Sequence, residues 1–235
     1  LRGMAEIKKL AKSQVEITDE LSAPEFGSFW RKAVADLSQN TKIDGFRSGH
    51  IPEDILIKNV GEERILDTAA ELALQSNYHK IILGNKIKAI GRPTITITKI
   101  AKGNPLGFKI VTAVIPEVKL PDYNQIAKKV SNVKKDEASR LEMIKKINEE
   151  TEMELPDILV ENELNKGILQ MKASVEEKGL KFEEYLKNIK KSLEDIKKES
   201  RDKAEKSIRY NLILKNIARK EGIIVPPEEV LKEAE

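Results

Sequence analysis

Two histidines are the residues of this 235-residue chain whose type is most often used to bind metals. His50 stands in a glycine-rich stretch and His79 in an apolar pattern with helical spacing. A zinc site built from a histidine pair needs a second histidine three or four positions away, and neither histidine has one. We therefore interpret both histidines as surface residues and expect no metal site.

Adjacent glutamates are the other candidates for catalytic chemistry. General acid–base catalysis needs carboxylates in a cleft where their pKa values are shifted, whereas these pairs lie in amphipathic patterns and are expected to be solvated. The sequence also has no phosphate-binding glycine loop and no serine with an evident histidine base. We therefore expect neither an enzyme nor a cofactor. The pairs considered are Glu62-Glu63, Glu149-Glu150, Glu176-Glu177 and Glu183-Glu184.

The composition excludes several classes of partner. The net charge is +3 and aromatic residues make up 4%, which argues against a protein that holds nucleic acid by bulk charge or by base stacking. Cysteine is absent, so disulfides and thiolate sites are excluded. No apolar run is long enough to span a bilayer, and the first residues lack the apolar stretch of a secretory signal. We expect a cytoplasmic protein that does not bind membranes.

The stretch "DGFRSGHIPED", residues 44–54, is the strongest candidate for a binding site. Phe46 and Arg47 lie between Gly45 and Gly49, and Pro52 follows, which is typical of a loop tip. Two interpretations of Phe46 are open. The residue types alone favour a ring folded back between the flanking helices, and the alternative is a ring held out for a partner.

The elements around this loop are predicted from apolar periodicity. Val15 and Ile17 alternate as in a half-buried strand, and a helix capped by Ser22 precedes the loop. A second helical pattern runs from Pro52 to about residue 83, with an interruption at Gly61. "PTITITKI" and "LGFKIVTAVIPEV" then alternate as the two strands of a hairpin. Residues 1–124 are therefore predicted to form an α+β domain with an antiparallel sheet.

Residues 125–235 are predicted to form an elongated all-α domain. The first apolar stripe contains Leu141, Ile144 and Ile147, and the second follows Pro156 and ends at Gly179. A third stripe runs from Phe182 to Ile196, and a fourth ends at Gly222. Most apolar positions of such stripes pack on neighbouring helices. Some can instead form adaptable apolar surfaces for varied partners, and the sequence leaves this division open.

"GFRSGHIP" resembles the GFRxGxxP signature of trigger factor, the bacterial chaperone family that docks at the ribosomal exit tunnel. Four segments, the first of which contains this signature, resemble the same family in the same order. They are "TKIDGFRSGHIPEDILIKNVGEE", "GNPLGFKIVTAVIPEVKLPDY", "ELPDILVENELNK" and "IRYNLILKNIARKEGIIVPPEEV".

The resemblance implies an ATP-independent chaperone with a ribosome-binding domain at 1–124 and a substrate-binding helical domain at 125–235. Its implied partners are an exit-tunnel protein, ribosomal RNA, and nascent or unfolded polypeptides. The residues that match the docking motif, with the neighbouring serine, are Gly45, Phe46, Arg47, Ser48, Gly49 and Pro52. Candidate client contacts are Met153, Ile168, Met171, Phe182, Tyr185 and Ile189.

The chain departs from the family in two ways. Ser48 stands where the family often has a basic residue, which weakens the expected contact with RNA. The family usually carries a prolyl isomerase domain between its two halves, and no stretch here corresponds to it, so we expect no isomerase activity. A ribosome-independent holdase, an RNA-binding module and an isomerase are the alternatives. The sequence leaves the oligomeric state open, and a homodimer is one of the alternatives.

Overall fold

The computed structural model describes residues 5–131 and 137–223. The chain forms two compact units, Leu1–Ile115 and Pro116–Glu235. Within the described residues the first unit holds a four-stranded sheet and three helices, and the second holds five helices. The small antiparallel sheet and the high helix content of the described residues agree with the predicted fold class.

The sheet of the first unit is antiparallel throughout. Its strands are β1 (Glu6–Leu10), β2 (Gln14–Leu21), β3 (Ala89–Lys99) and β4 (Leu106–Val114), in the order β1-β2-β4-β3. β3 and β4 form the predicted hairpin. Ile17 of β2 lies opposite Ile110 of β4, and both are fully buried, so this register puts the apolar side of the central strands into the core.

Strand β1 was not predicted. Its four residues Glu6–Lys9 are exposed and Leu10 is half-buried, so no alternation of apolar and polar residues marks it in the sequence. It forms because it pairs with β2 along its whole length, from Glu6 opposite Thr18 to Leu10 opposite Gln14. Backbone hydrogen bonding to a neighbouring strand, rather than burial of side chains, explains this element.

Three helices cover the sheet. They are α1 (Ala23–Asn40), α2 (Glu53–Val60) and α3 (Glu62–Gly84). Ser22 is the N-cap of α1, as predicted, and its backbone N–H donates to Glu25 Oε2 at 3.0 Å. Gly61 separates α2 from α3 with a φ of 84°, which explains the predicted interruption. The largest fully buried side chains of this unit are Ile17, Leu21, Phe26, Leu56, Ile65, Leu106, Phe108 and Ile110.

The described residues of the second unit form helices only, apart from one isolated bridge between Lys119 and Glu152. The helices are α4 (Tyr123–Ser131), α5 (Glu137–Glu150), α6 (Asp157–Glu177), α7 (Phe182–Asn188) and α8 (Leu193–Lys220). α6 begins after Pro156 and ends before Gly179, as predicted. Part of the predicted C-terminal segment, residues 224–235, lies outside the described residues.

The third predicted stripe is not one helix. α7 ends at Asn188, Lys190 has a φ of 53°, and α8 begins at Leu193. Ser192 starts the new helix because its Oγ accepts from the Asp195 N–H at 3.1 Å, while its own N–H donates to Asp195 Oδ2 at 2.9 Å. α8 therefore joins the end of the third stripe to the fourth. No helix in 5–131 or 137–223 is long and apolar enough to cross a membrane.

Candidate functional site

One buried serine fixes the base of the loop between α1 and α2. Ser38, in the last turn of α1, is 3% exposed. Its carbonyl oxygen accepts from the Gly49 N–H at 2.8 Å, and its Oγ accepts from the Ile51 N–H at 3.1 Å. Ile51 is itself buried in the core. The returning arm of the loop is therefore fastened to α1 by two hydrogen bonds and one apolar side chain.

The tip of the loop is built from two short turns. The Phe46 N–H donates to the Ile43 carbonyl at 3.1 Å, and the His50 N–H donates to the Arg47 carbonyl at 3.0 Å. Gly45 and Gly49 have φ values of 85° and 81°, a region that other residues rarely adopt. The three residues between the glycines, Phe46, Arg47 and Ser48, are all exposed at this tip.

The start of α2 is fastened to both neighbouring elements. The Trp30 Nε1–H of α1 donates to Glu53 Oε1 at 2.9 Å, and Lys102 Nζ, from the β3–β4 turn, lies 2.9 Å from the same oxygen. Lys102 Nζ also lies 4.6 Å from the centre of the Trp30 ring. The hydrogen bonds from Lys102 and then Trp30 lower the pKa of Glu53 below its usual value.

All of the predicted docking residues lie on the surface. Phe46 is 40% exposed, and the other five are exposed as well. The ring of Phe46 is therefore not folded into the core between the helices. This geometry presents an aromatic ring beside a guanidinium on a loop whose two ends are held in place. The assignment of these residues to a binding site stays a prediction.

A groove between α6 and α8 is a concave site of the second unit. It has a volume of about 310 Å³. Ile168 and Met171 line it from α6, and Ile196 and Ala204 line it from α8. Polar residues of both helices border this apolar floor, and they include Glu163, Gln170, Lys197, Ser200, Lys203 and Ser207. We call it the α6–α8 groove.

Polar contacts hold the two walls of this groove together. Arg201 of α8 lies 2.9 Å from Asp157 and 3.6 Å from Glu161, both on α6. The Ser207 Oγ donates to Glu163 Oε1 at 3.1 Å. Deeper contacts come from a small apolar cluster of Val160, Leu164, Ala204 and Ile208. The groove is therefore a fixed feature of the unit.

The remaining client candidates lie outside this groove. Phe182 is 5% exposed, and its ring stacks on that of Tyr185 with 6.3 Å between the ring centres. Met153 is half-buried against the cluster of α4, α5 and α8 that contains Tyr123 and Ile213. Ile189, like Tyr185, is half-buried. The structure thus brings Ile168 and Met171 together and leaves the other four apart from them.

Several leucines of the second unit are exposed and were not among the predicted client contacts. Leu169, next to Ile168 on α6, is 66% exposed, and Leu141 of α5 is 65% exposed. Leu169 falls outside the apolar stripe of its helix, and an apolar residue on an otherwise polar face was the signal that could have identified it. The other exposed leucines in the described part of the unit are Leu180, Leu193 and Leu214.

Two family models match the sequence. The model of the bacterial trigger factor protein matches residues 4–147, and that of the trigger factor C-terminus matches residues 123–235. The two matched ranges overlap over residues 123–147, so they leave no stretch between them for a further domain.

Within the described residues, no group of three or more histidine and acidic side chains could hold a metal ion.

Curated relatives share part of the chain. A trigger factor of Mycobacteroides abscessus is 32% identical over 127 residues, which is 54% of this chain and 26% of that protein. One of Rhodococcus opacus is 35% identical over 121 residues, 52% of this chain and 26% of that protein. One of Moorella thermoacetica is 32% identical over 145 residues, 62% of this chain and 32% of that protein. The matched segment is thus about a quarter to a third of these relatives.

A solved structure has the same fold. It is of the trigger factor chaperone, described for promiscuous substrate recognition in folding and assembly, and it aligns with a TM-score of 0.65 at 16% identity. The alignment covers 97% of this chain and 88% of that one. The family itself follows from the sequence match over residues 4–147, which is more than half of the chain. The chain belongs to the trigger factor family.

Proposed function

We propose that this protein is an ATP-independent chaperone of the cytoplasm that docks at the ribosomal exit tunnel and holds nascent or unfolded polypeptides. The observation that carries the proposal is the loop tip, where exposed Phe46 and Arg47 stand on a base fastened by Ser38. The names of the curated relatives support a chaperone function, although they share only part of their length with this chain.

The chemistry of the tip suits a weak and reversible contact. Phe46 supplies apolar area, and the planar fork of Arg47 binds a phosphate or a carboxylate through two hydrogen bonds. The docking partner is therefore an exit-tunnel protein, ribosomal RNA, or both. Ser48 adds no charge, so we expect a transient complex that weakens as the salt concentration rises.

The second unit supplies apolar surface for clients. Full burial of one large apolar side chain stabilises a complex by roughly 1.5–3 kcal/mol, so a few contacts in the α6–α8 groove and at Leu169 give useful binding that is still reversible. In our proposal residues 1–124 act as the ribosome-binding domain and residues 125–235 as the substrate-binding domain. No isomerase function is assigned to the chain.

Ribosome sedimentation combined with an aggregation assay tests this proposal. The protein should pellet with ribosomes at low salt and stay in the supernatant at high salt, and it should suppress the aggregation of an unfolded protein without nucleotide. Suppression of aggregation without ribosome binding at any salt concentration would favour a ribosome-independent holdase. Equal binding to any RNA and no suppression of aggregation would favour an RNA-binding module.

A further inference from the structure

Three segments of the first unit meet at one end of the sheet. They are the turn between β1 and β2, the connection from α3 to β3, and the end of β4. The Val114 N–H of β4 donates to the Ser13 carbonyl at 2.8 Å, and the Ile115 N–H donates to the Lys88 carbonyl at 3.0 Å. These hydrogen bonds bring residues 9–14, 79–90 and 111–115 together. We call the surface that they form the basic end of the sheet.

Every fully ionised side chain of the basic end is a lysine. The lysines are Lys9, Lys12, Lys80, Lys86 and Lys88, and the three segments contain no aspartate or glutamate. The nearest acidic residues along the chain are Glu16, which pairs with Lys109 at 3.2 Å, and Glu117, which belongs to the second unit. The whole chain has a net charge of only +3. Positive charge is therefore concentrated at this end of the sheet, which the overall composition does not reveal.

The lysines of the basic end are available to a ligand. All five are exposed. In the part of the chain that the structure describes, Lys9, Lys86 and Lys88 form no ion pair with a carboxylate. An ammonium group without such a partner keeps its charge for a ligand, and several of them close together create a positive potential that attracts anions.

These charges extend over the whole width of the sheet. Lys9 lies on the edge strand β1, and Lys88 comes directly before the other edge strand, β3. Three strand spacings of about 4.8 Å separate the two edges, so the backbones of these lysines are roughly 14 Å apart. Lys80 adds a further charge from the helix that packs on the sheet. A single small anion cannot contact lysines this far apart, so the arrangement suits a polymer with many negative charges.

The residue types favour phosphate groups over an acidic protein. Interfaces between proteins are enriched in aromatic residues, methionine and arginine and are depleted in lysine. The three segments contain no phenylalanine, tyrosine, tryptophan, methionine or arginine. Lysine binds phosphate as a point charge with three hydrogen-bond donors. The basic end therefore has the composition of a phosphate-binding surface.

The same segments favour a double helix over a single strand or a membrane. Single strands bind largely by stacking their bases on aromatic side chains, which these segments lack. A helix that binds a membrane surface inserts a whole apolar face, whereas α3 turns Ile81 into the core. Leu83 and Ile115 are exposed, but they are single apolar residues on separate elements, as is usual on protein surfaces. A double helix presents several phosphates within a distance of roughly 14 Å.

We propose that the basic end of the sheet binds the phosphate backbone of a nucleic-acid double helix without reading its sequence. Lys9, Lys86 and Lys88 contact the phosphates, and the complex is weak and sensitive to salt. Other elements form the loop at residues 44–54, and this site does not rest on the proposed function. A chain that failed to dock on ribosomes through the loop would still bind a free double helix here.

The test measures the Kd of the full chain for a fluorescein-labelled RNA duplex of about 20 base pairs by fluorescence anisotropy, from about 50 to about 200 mM salt. Lys9→Gln/Lys86→Gln/Lys88→Gln should raise the Kd at low salt at least about tenfold. It should also reduce the slope of log Kd against log salt concentration by about two to three, since each lost phosphate contact removes about one. Lys9→Arg/Lys86→Arg/Lys88→Arg keeps the charges and should keep the Kd within about threefold.

The matched control is Lys145→Gln/Lys166→Gln/Lys206→Gln, which removes the same charge from exposed lysines of the second unit and should change the Kd less than about threefold. Circular dichroism confirms the fold of each variant. RNA duplexes of unrelated sequence should bind equally well, because the contacts are to phosphates.

Competition experiments distinguish the double helix from other polyanions. Polyglutamate, which loses more conformational freedom on binding, should displace the labelled duplex less well than unlabelled duplex at the same concentration of negative charge. Phosphatidylglycerol vesicles should also displace it less well. An unchanged salt slope in the Lys9→Gln/Lys86→Gln/Lys88→Gln variant or an equal loss of affinity in the control variant would overturn the proposal. Equal displacement by polyglutamate or by the vesicles would overturn it as well.

Discussion

The Gly49 N–H donates to the Ser38 carbonyl at 2.8 Å, so the loop between α1 and α2 closes back on the last turn of the helix from which it starts. Carbonyls in the last turn of a helix have no partner within that helix. The loop uses one of them, and the Ser38 Oγ accepts a second hydrogen bond from the Ile51 N–H. The position of Phe46 and Arg47 thus depends on the buried side chain of Ser38 at the base of the loop.

Replacing Ser38 by alanine should lower the free energy of unfolding. The Ile51 N–H would lose its acceptor in a buried position, and an unsatisfied buried group of this kind costs about 1–3 kcal/mol. Urea denaturation measures the change. Ser48→Ala, on the exposed part of the same loop, is the control and should stay within about 0.5 kcal/mol of the unaltered protein. Equal stability of the two variants would mean that Ser38 does not anchor the loop.

Glu53 should make a pH-dependent contribution to stability. Hydrogen bonds from Lys102 and Trp30 lower the pKa of Glu53 below its usual value of 4.5. A lowered pKa in the folded state means that this contribution is fully present above pH 4.5 and is lost as the pH falls through the folded-state pKa. The side chain is 41% exposed, so solvent reduces the effect.

The measurement compares the unaltered protein with Glu53→Gln. The difference between their free energies of unfolding should be largest near neutral pH and should shrink as the pH falls below 4.5. Glu53→Gln should also speed the hydrogen exchange of backbone amides next to Pro52, such as the Ile51 N–H. A difference that stays constant from pH 7 to pH 3 would mean that Glu53 is not held by these hydrogen bonds.

Polar substitution should distinguish client-binding residues from core residues in the second unit. Met171→Lys, on the floor of the α6–α8 groove, should reduce aggregation suppression and leave the unfolding midpoint nearly unchanged. Phe182→Ala removes a buried ring and should cost about 3–5 kcal/mol of stability. If Met171→Lys unfolds the unit, or leaves suppression intact, the groove is not the client site.

The chain should not catalyse prolyl isomerisation. Such catalysis needs an apolar pocket that shields the prolyl bond from water, and the matched family ranges leave no stretch for a separate isomerase domain between the two halves. A refolding reaction limited by proline isomerisation is the assay, with a prolyl isomerase as the positive control. Acceleration by the chain at sub-stoichiometric amounts would contradict this prediction.

The helices of the first unit were predictable because their burial follows a clear period. Phe26, Trp30 and Leu37 of α1 are buried as their spacing indicates, and the glycines and proline of the next stretch indicate the loop. β1 could not be predicted in this way, since pairing with β2 and not burial creates it. The break at Ser192 was overlooked because apolar residues keep helical spacing across it.

The α6–α8 groove depends on contacts that sequence spacing does not contain. Ile168 and Met171 were identified as candidates from their stripe, but their alignment with Ile196 and Ala204 requires the packing of α6 on α8. Phe182 belongs to the same kind of pattern and is buried, with its ring stacked on that of Tyr185. Periodicity shows which side of a helix is apolar and cannot show which neighbour covers it.

The affinity of the chain for ribosomes is the most direct test of the docking loop. Phe46→Ala/Arg47→Ala should raise the Kd for ribosomes at least about tenfold at low salt. Truncation of an aromatic or arginine hot-spot residue at the centre of an interface lowers the binding free energy by more than about 1 kcal/mol. The control is Arg31→Ala/Leu83→Ala, which removes one exposed arginine and one exposed apolar side chain from elsewhere in the same unit and should leave the Kd unchanged. An unchanged Kd in the folded Phe46→Ala/Arg47→Ala variant would contradict docking through this loop.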